Sequence, residues 1–144
     1  MPANKNLPRS VLFVCTRNAC RSPIAHALAN EHFRRRVFID SVGLNPGTLD
    51  GFSVAAMSEL RLDISGHEPK SIDDVDLSDF DILITLTPES REELLARIGD
   101  SDITIYHWPT FDPSSTKGNR EQILETYRHV REELQQQLEE HFPL

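Results

Sequence analysis

The chain has 144 residues, with 15 Lys or Arg against 23 Asp or Glu, which gives a formal net charge of −8. This charge argues against non-specific binding to nucleic acid or anionic membranes, because both attract basic proteins. The length fits one domain, which we expect over residues 1–144 with a loose polar tail at residues 1–9. No apolar stretch is long enough to span a membrane or to form the core of a signal peptide, so we expect a cytoplasmic protein.

The first predicted elements are a strand and a helix joined by a short loop. Residues 11–14 are apolar, with two valines and a phenylalanine among them, which predicts a buried strand. Ser22 is a suitable helix N-cap, and Pro23 would occupy the first turn, where no backbone N–H is needed. The helix then follows apolar spacing and ends at the arginine run of residues 34–36, since positive charge suits a helix C-terminus.

Strands and helices alternate along the rest of the chain. Apolar runs predict strands at residues 37–42, 81–86 and 103–107. Helical spacing predicts helices at residues 54–61, 87–98 and 119–140, with Leu94, Leu95 and Ile98 on the core face of the second of these. This alternation predicts an α/β three-layer sandwich around a four-stranded parallel sheet. Short right-handed crossovers with the first strand in the middle favour the order 2-1-3-4, a flavodoxin-like topology.

The loop between the first strand and the first helix runs from Cys15 to Arg21 with five residues between them. Backbone N–H groups converge where a strand hands over to a helix, and the helix dipole adds positive potential. Such a place favours the nucleophilic thiolate of Cys15 and holds an oxyanion such as phosphate. The guanidinium of Arg21 can bind two phosphate oxygens at once. We therefore interpret Cys15 as a nucleophile and Arg21 as the residue that binds the phosphate and the transition-state charge.

These residues resemble the low-molecular-weight protein tyrosine phosphatases and the related arsenate reductases, which share their fold and loop. The resemblance rests on Cys15-x5-Arg21-Ser22-Pro23 after an N-terminal strand and on a late Asp112-Pro113. Further segments match in order and approximate spacing: Ser41-Val-Gly43, Met57-Ser-Glu-Leu60, Asp63-Ile-Ser-Gly-His67 and Phe80-Asp-Ile-Leu83. The resemblance covers nearly the whole chain and implies a phosphomonoester hydrolase that needs neither metal nor cofactor.

The resemblance also implies roles for single residues. Cys15 would attack phosphorus in line and form a cysteinyl-phosphate, while Asp112 would protonate the leaving oxygen and then activate water. The Ser22 hydroxyl would bond to the Cys15 sulfur. Apart from the resemblance, asparagine tolerates a left-handed backbone conformation, so we expect Asn18 to brace the loop. Phosphate, sulfate and arsenate are the expected ligands, and a phosphate ester or phosphoprotein is the expected substrate. The predicted substrate-binding residues are Thr16, Arg17, Asn18, Ala19, Cys20 and Ser22.

Two departures from the family pattern concern substrate choice. Arg17 stands where the family loop usually has glycine, and we expect it to line the mouth of the site and favour anionic substrates. Polar residues 114–116 follow Asp112-Pro113 where the phosphatase branch has aromatic residues. Phe52 or Trp108 would then have to supply the wall for a phosphotyrosine ring.

The cysteine content bears on the alternative function, arsenate reduction. The segments 41–67 and 108–113 are closer to the arsenate reductase branch, which relays electrons through two further cysteines after the third strand. Residues 87–97 contain none, so arsenate reduction by this chain would require an external thiol. Cys20 is the only other cysteine, and it is either a packed residue without chemistry or a redox partner whose disulfide shields Cys15 from over-oxidation.

Other candidate sites are weaker. The six histidines show no metal-binding spacing, and the acidic run of residues 73–81 lacks the glycine and terminal glutamate of a calcium loop. We therefore expect no metal site. A catalytically quiet phosphate-binding module is a further alternative, against which Cys15, Arg21 and Asp112 together argue.

Overall fold

The computed structural model describes residues 7–144 of the chain. Its strands are β1 (Ser10–Cys15), β2 (Phe38–Gly43), β3 (Ile82–Thr85) and β4 (Thr104–His107). Its α-helices are α1 (Arg21–His32), α2 (Gly51–Ser58), α3 (Pro88–Ile98) and α4 (Arg120–His141). Short 3₁₀ helices occupy Ile72–Asp74, Leu77–Asp79 and Pro113–Ser115.

The four strands form one parallel sheet in the order β2-β1-β3-β4, which confirms the predicted topology. The central strand β1 is buried along its whole length, and its alternate side chains enter two different cores. Phe13 packs on the side of α1 and α4, whereas Leu12 and Val14 pack on the side of α3, against Leu94. The sheet therefore lies between two helical layers, as the sequence predicts.

Two helix starts differ from the prediction. Helix α1 begins at Arg21, with Cys20 at the N-cap position and no side-chain cap. The prediction of Ser22 as the N-cap is wrong, because its hydroxyl is turned toward Cys15 instead. Helix α2 begins at Gly51, three residues before the predicted start, because the Asp50 carboxylate accepts a hydrogen bond of 2.8 Å from the Phe52 N–H and caps it.

The later helices follow the prediction more closely. Thr87 caps α3 in a reciprocal box with Ser90, and Pro88 is the first helical residue. Leu94 is fully buried, but Leu95 is 47% exposed, so its assignment to the core face is wrong; a single residue step turns a helix by about 100°. The helix predicted at residues 119–140 is confirmed as α4, whose buried side chains are Leu124, Tyr127, Val130, Leu134 and Leu138. Within residues 7–144 no helix has both the length and the apolar composition that crossing a bilayer requires.

The predicted loose tail falls partly outside the described residues, which exclude residues 1–6. Of the remaining three, Leu7 packs against the core beside α1 and α4. The Arg9 N–H donates a hydrogen bond of 2.7 Å to the Asp81 carboxylate. These contacts join Leu7 and Arg9 to the domain, and the loose tail at residues 1–9 stays a prediction.

Candidate active site

A cavity of about 190 Å³ opens at the carboxyl edge of the sheet, where β1 ends and α1 begins. A larger cavity of about 560 Å³ lies elsewhere, beside His32 and Arg34, and no cysteine lines it. Six residues predicted for the site line the smaller one: Cys15, Arg17, Ala19, Cys20, Arg21 and Asp112. Thr48, Asp50 and Ser114 line it too. The structure thus brings the predicted nucleophile, arginine and aspartate to one cavity.

The cysteine loop (residues 15–21) is held by the segment that follows β2, which we call the clamp segment (residues 44–50). Four N–H groups of the clamp segment donate hydrogen bonds of 2.8 to 3.1 Å to four carbonyl oxygens of the cysteine loop. The donors are Leu44, Asn45, Gly47 and Asp50, and the acceptors are Cys15, Thr16, Arg17 and Ala19, in that order. These bonds turn the loop carbonyls away from the cavity.

This arrangement aims the loop N–H groups inward. A trans peptide places its C=O and N–H on opposite sides, so outward carbonyls at residues 15, 16, 17 and 19 direct the next N–H groups into the loop. The Asn18 N–H accordingly donates to the Cys15 Sγ at 3.1 Å. In the described part of the chain, the N–H groups of Thr16, Arg17 and Cys20 donate to no protein acceptor. Converging free N–H groups at a helix N-terminus form an anion-binding nest.

Gly43 permits this close approach of β2 to the loop. A β-carbon there would lie 2.6 Å from both the Arg17 carbonyl carbon and the Asn18 nitrogen, closer than real β-carbons come to other atoms. Both of those atoms belong to the backbone of the cysteine loop, so they cannot move without distorting it. A side chain at residue 43 would therefore displace the loop.

Asn18 braces the loop from behind. It has a φ of 52°, as predicted, and is fully buried. Its Nδ2 donates to the Ser22 Oγ at 2.7 Å, and its Oδ1 accepts from the Lys70 N–H at 3.0 Å. Its Oδ1 also lies 3.1 Å from the His67 Nε2, and burial lowers the pKa of His67, which favours the neutral ring. Asn18 and Ser22 are thus supports beneath the cavity and do not line it.

Thr16 is placed differently from the other predicted binding residues. Its side chain leaves the cavity and donates to the Thr87 Oγ1 at 3.2 Å. Its carbonyl oxygen accepts from the clamp segment. Thr16 therefore ties the loop to the start of α3, and its N–H is the part that faces inward.

Arg21 and Asp112 lie beside each other in the lining of the cavity. The Arg21 Nη1 donates to the Thr110 carbonyl oxygen at 3.2 Å, and its Nη2 lies 3.8 Å from the Asp112 Oδ2. The Asp112 Oδ1 accepts from the Ser114 N–H at 3.0 Å and from the Ser114 hydroxyl at 2.7 Å. Burial raises the pKa of Asp112, but the two bonds from Ser114 and the charge of Arg21 outweigh it, so that the pKa is lowered.

Cys20 lines the same cavity as Cys15, and both cysteines are free. Burial raises the pKa of the Cys20 thiol to about 12, so it remains protonated near neutral pH. The two sulfurs therefore have different environments. Cys15 Sγ is contacted by the Asn18 N–H and the Ser22 hydroxyl, whereas desolvation dominates the surroundings of Cys20.

Neither aromatic residue proposed as a wall lines the cavity. Trp108 is buried in the core, with its ring centroid 6.0 Å from that of Phe13. Phe52 packs on Tyr127, with 5.4 Å between ring centroids. The Tyr127 hydroxyl in turn donates to the Asp50 carboxylate. The expectation of a wall from Phe52 or Trp108 is therefore wrong, because both rings are used in packing.

The residues that sequence reasoning missed belong mainly to the clamp segment. Thr48 and Asp50 lie between the predicted strand at residues 37–42 and the predicted helix at residues 54–61, where no local pattern marks a site residue. Because β2 neighbours β1 in the predicted order, the loop after β2 has to reach the same edge of the sheet. Ser114 was noted only as a departure from an aromatic pattern. The signal that could have identified these residues is the position of their loops at the carboxyl edge of the sheet, where ligands bind.

The cavity combines an anion nest, a guanidinium, a sulfur and a carboxyl group. These groups suit the capture of a tetrahedral oxyanion and attack on its central atom. Across residues 7–144 no three His, Cys, Asp or Glu side chains are arranged to hold a metal ion.

Known proteins resemble the chain along most of its length. Residues 10–142 match the family described as low molecular weight phosphotyrosine protein phosphatase. An arsenate reductase of Bacillus subtilis (strain 168) is 28% identical over 130 residues, covering 90% of this chain and 92% of the relative. A solved structure of an arsenate reductase in the phosphate binding state is 26% identical with a TM-score of 0.73, covering 93% of this chain and 96% of its own.

The fold is also that of a low molecular weight protein tyrosine phosphatase from T. tengcongensis, with a TM-score of 0.77 at 24% identity over 92% of this chain and 96% of that one. Its likeness concerns the fold alone. The family match spans all four strands and the whole cavity. The chain belongs to the low molecular weight phosphotyrosine protein phosphatase family.

Proposed function

We propose that the chain is a phosphomonoester hydrolase that forms a cysteinyl-phosphate on Cys15. The observation that carries the proposal is the clamped cysteine loop, in which the Asn18 N–H donates to the Cys15 Sγ and the N–H groups of Thr16, Arg17 and Cys20 have no protein acceptor among the described residues. An anion held by that nest rests directly against a sulfur nucleophile. Binding and attack are therefore properties of one loop.

In the first step, the Cys15 thiolate attacks phosphorus opposite the ester oxygen. The S–P bond forms as the P–O bond to the leaving group breaks. Asp112, which lines the cavity beside Arg21, supplies a proton to the departing oxygen. Arg21 and the loop N–H groups hold the charge of the equatorial oxygens.

In the second step, water attacks the cysteinyl-phosphate. Asp112, now ionised, accepts a proton from this water, and the S–P bond breaks to release inorganic phosphate. The sulfur leaves as a thiolate. The Ser22 hydroxyl and the Asn18 N–H, at 2.9 and 3.1 Å from the Cys15 Sγ, stabilise it.

The substrate we propose is a phosphorylated protein, with phosphotyrosine as the type that family membership favours. No aromatic side chain is among the residues that line the cavity. A phosphotyrosine ring would thus lie against Ala19, Thr48 and the polar rim. Phosphate, sulfate and arsenate are the proposed simple ligands of the loop, and the relative with a structure in the phosphate binding state supports the first of them.

A second candidate function is arsenate reduction, favoured by curated relatives named arsenate reductase that cover most of the chain. Cys15 would displace an oxygen of arsenate and form an S–As bond. An external thiol would then attack the Cys15 sulfur, so that arsenic leaves as arsenite with the electron pair of that bond. Cys15 and the external thiol would be oxidised to a mixed disulfide, which a second thiol reduces.

One pair of assays separates the two functions. We would measure p-nitrophenyl phosphate hydrolysis, and arsenite formation in the presence of glutathione, mycothiol or thioredoxin. Hydrolysis that is lost in Cys15→Ser supports the phosphatase, whereas thiol-dependent arsenite formation without hydrolysis supports the reductase. Asp112→Asn provides a further contrast, since protonation of a phenolate leaving group is specific to ester hydrolysis.

We also propose that the protein works in the cytoplasm. Cys15 and Cys20 are both free thiols that line one cavity. A reducing compartment keeps such thiols reduced. Fractionation of cells that express the tagged protein would test this location.

A further inference from the structure

Arg17 has an unusual position at the rim of the cavity. Its side chain is exposed, yet it lies directly over Gly47 of the clamp segment. A β-carbon at residue 47 would be 2.6 Å from the Arg17 Nε and 2.8 Å from its Nη2. The Gly47 N–H also donates to the Arg17 carbonyl oxygen at 2.9 Å. One glycine therefore fixes the backbone of Arg17 and makes room for its guanidinium.

The other charged groups of the cavity already have protein partners. Arg21 contacts the Thr110 carbonyl and Asp112. The Asp50 carboxylate accepts from the Phe52 N–H and from the Tyr127 hydroxyl. In the described part of the chain, the Arg17 guanidinium forms no ion pair and donates no hydrogen bond.

An unpaired guanidinium beside an anion nest suggests a second binding point. The chain is acidic overall, with a net charge of −8, so carboxylates to pair with an arginine are plentiful on its surface. Arg17 nevertheless faces the cavity with its five donors free. A planar guanidinium binds carboxylate or phosphate through two parallel hydrogen bonds.

We propose that Arg17 determines specificity by binding a second anionic group of the substrate, a carboxylate or a phosphate close to the phosphate that is cleaved. This inference rests on the proposed hydrolase function and names its substrate class. The second group comes either from acidic residues next to a phosphorylated side chain or from a small ester with two anionic groups. Gly47 acts as a positioning residue, because it leaves space for the guanidinium.

The test compares substrates that differ only in the second anion. One pair is a phosphotyrosine peptide flanked by Glu and the same peptide flanked by Gln. A second pair is 3-carboxyphenyl phosphate and phenyl phosphate. For each pair, the ratio of kcat/KM is measured in the wild type, Arg17→Ala, Arg17→Lys and Gly47→Ala. Because each ratio is internal to one variant, a general change in activity cancels.

We expect the wild type to prefer the acidic member of at least one pair by about tenfold, the factor that one charge-assisted contact gives. The pair that shows the preference identifies the source of the anion. Arg17→Ala brings the ratio close to one, mainly through KM, because the contact is made equally in ground and transition states. Arg17→Lys keeps part of the preference. Gly47→Ala lowers it with the charge intact, since the new methyl group displaces the guanidinium.

Two controls complete the experiment. Arg61→Ala removes an exposed arginine that does not line the cavity, and Gly66→Ala adds a methyl group that meets no atom within 4 Å apart from its own chain neighbours. Both keep the wild-type ratio. An equal ratio in the wild type and Arg17→Ala, in enzymes that hydrolyse phenyl phosphate, overturns the inference and leaves the proposed function intact.

Binding provides a readout that does not depend on turnover. Calorimetric titration of Cys15→Ser with the same four compounds measures their dissociation constants directly. If no ester is hydrolysed, the proposed function fails, and the ratio of dissociation constants still decides the role of Arg17. Equal affinities for the acidic and neutral members of both pairs count against it.

Discussion

The Ser22 Oγ lies 2.9 Å from the Cys15 Sγ and accepts a hydrogen bond of 2.7 Å from the Asn18 Nδ2. Because the Asn18 amide supplies the hydrogen in that second bond, the hydroxyl hydrogen of Ser22 is free to point at the sulfur. In the proposed reaction the sulfur gains negative charge when the cysteinyl-phosphate breaks. A fixed donor is most effective at that moment.

Ser22→Ala is therefore expected to slow the second step more than the first. Loss of one hydrogen bond to a charged sulfur corresponds to about 10- to 100-fold in the rate of dephosphorylation. Rapid mixing with p-nitrophenyl phosphate should show a burst of p-nitrophenol, followed by slow turnover. Ser41→Ala is the matched control, since Ser41 is equally buried but bonds to His26. If the burst itself were slower in Ser22→Ala than in the wild type, the proposed role of Ser22 in the second step would be contradicted.

Ser114→Ala should change the pH dependence of the reaction. The Ser114 hydroxyl bonds to the Asp112 carboxylate at 2.7 Å and contributes to its lowered pKa. Removing the hydroxyl favours the protonated acid, so the pKa of Asp112 rises. Since the general acid must be protonated in the first step, the fall of kcat/KM at increasing pH should move to higher pH. The measurement is the pH profile of kcat/KM for the wild type and Ser114→Ala, with Asp112→Asn as the reference that lacks the fall at high pH. Superimposable profiles of the wild type and Ser114→Ala would count against Asp112 as the acid.

Gly43→Ala tests the clamped geometry of the cysteine loop. Its methyl group would lie 2.6 Å from backbone atoms of Arg17 and Asn18, so the loop must shift. We expect phosphate to bind at least tenfold more weakly and the free energy of unfolding to fall by about 1–3 kcal/mol, the usual cost of overpacking. Calorimetry with phosphate and urea denaturation measure the two effects. Gly66→Ala, which meets no atom within 4 Å, should change neither, and normal phosphate affinity in Gly43→Ala would refute the role of the clamp.

Oxidation tests whether Cys20 protects the nucleophile. Peroxide should convert Cys15 to a sulfenic acid, which the Cys20 sulfur then attacks, forming a disulfide and releasing water. Because burial raises the pKa of Cys20 to about 12, this closure should accelerate as the pH rises. Peptide mass mapping of the wild type is expected to show a Cys15–Cys20 disulfide, and Cys20→Ser should show Cys15 sulfinic acid. Cys15 sulfinic acid without any Cys15–Cys20 disulfide in the wild type would contradict the protective role of Cys20.

Periodicity and turn chemistry predicted the architecture because they are local signals with few structural solutions. Alternating strands and helices led to the observed strand order, and the helix predicted at residues 87–98 agrees with α3 (Pro88–Ile98). Ser22 shows the limit of such signals. A serine near a helix start is a good cap by composition, but whether its hydroxyl bonds to the helix or to Cys15 depends on loop geometry.

The residues that would contact a substrate were harder to predict, because their positions depend on tertiary contacts that no local sequence pattern encodes. By sequence Trp108 is available for an aromatic wall, yet its ring is buried against Phe13 of β1 and His141 of α4. No local pattern distinguishes the clamp segment, since its bonds to the cysteine loop form only because β1 and β2 are adjacent in the sheet. Arg17, by contrast, was visible as a departure from the family pattern, and its position over Gly47 gives that departure a structural meaning.

The most direct test of the account is hydrolysis of p-nitrophenyl phosphate by the wild type and by Cys15→Ser under the same conditions. We expect turnover by the wild type and a loss of at least about 1,000-fold in the variant, the scale seen when a nucleophile is removed. The intact mass of the wild type quenched during turnover should show one added phosphoryl group, and peptide mass mapping should place it on the peptide that contains Cys15. Hydrolysis by Cys15→Ser at the wild-type rate would contradict the central claim that this sulfur attacks phosphorus.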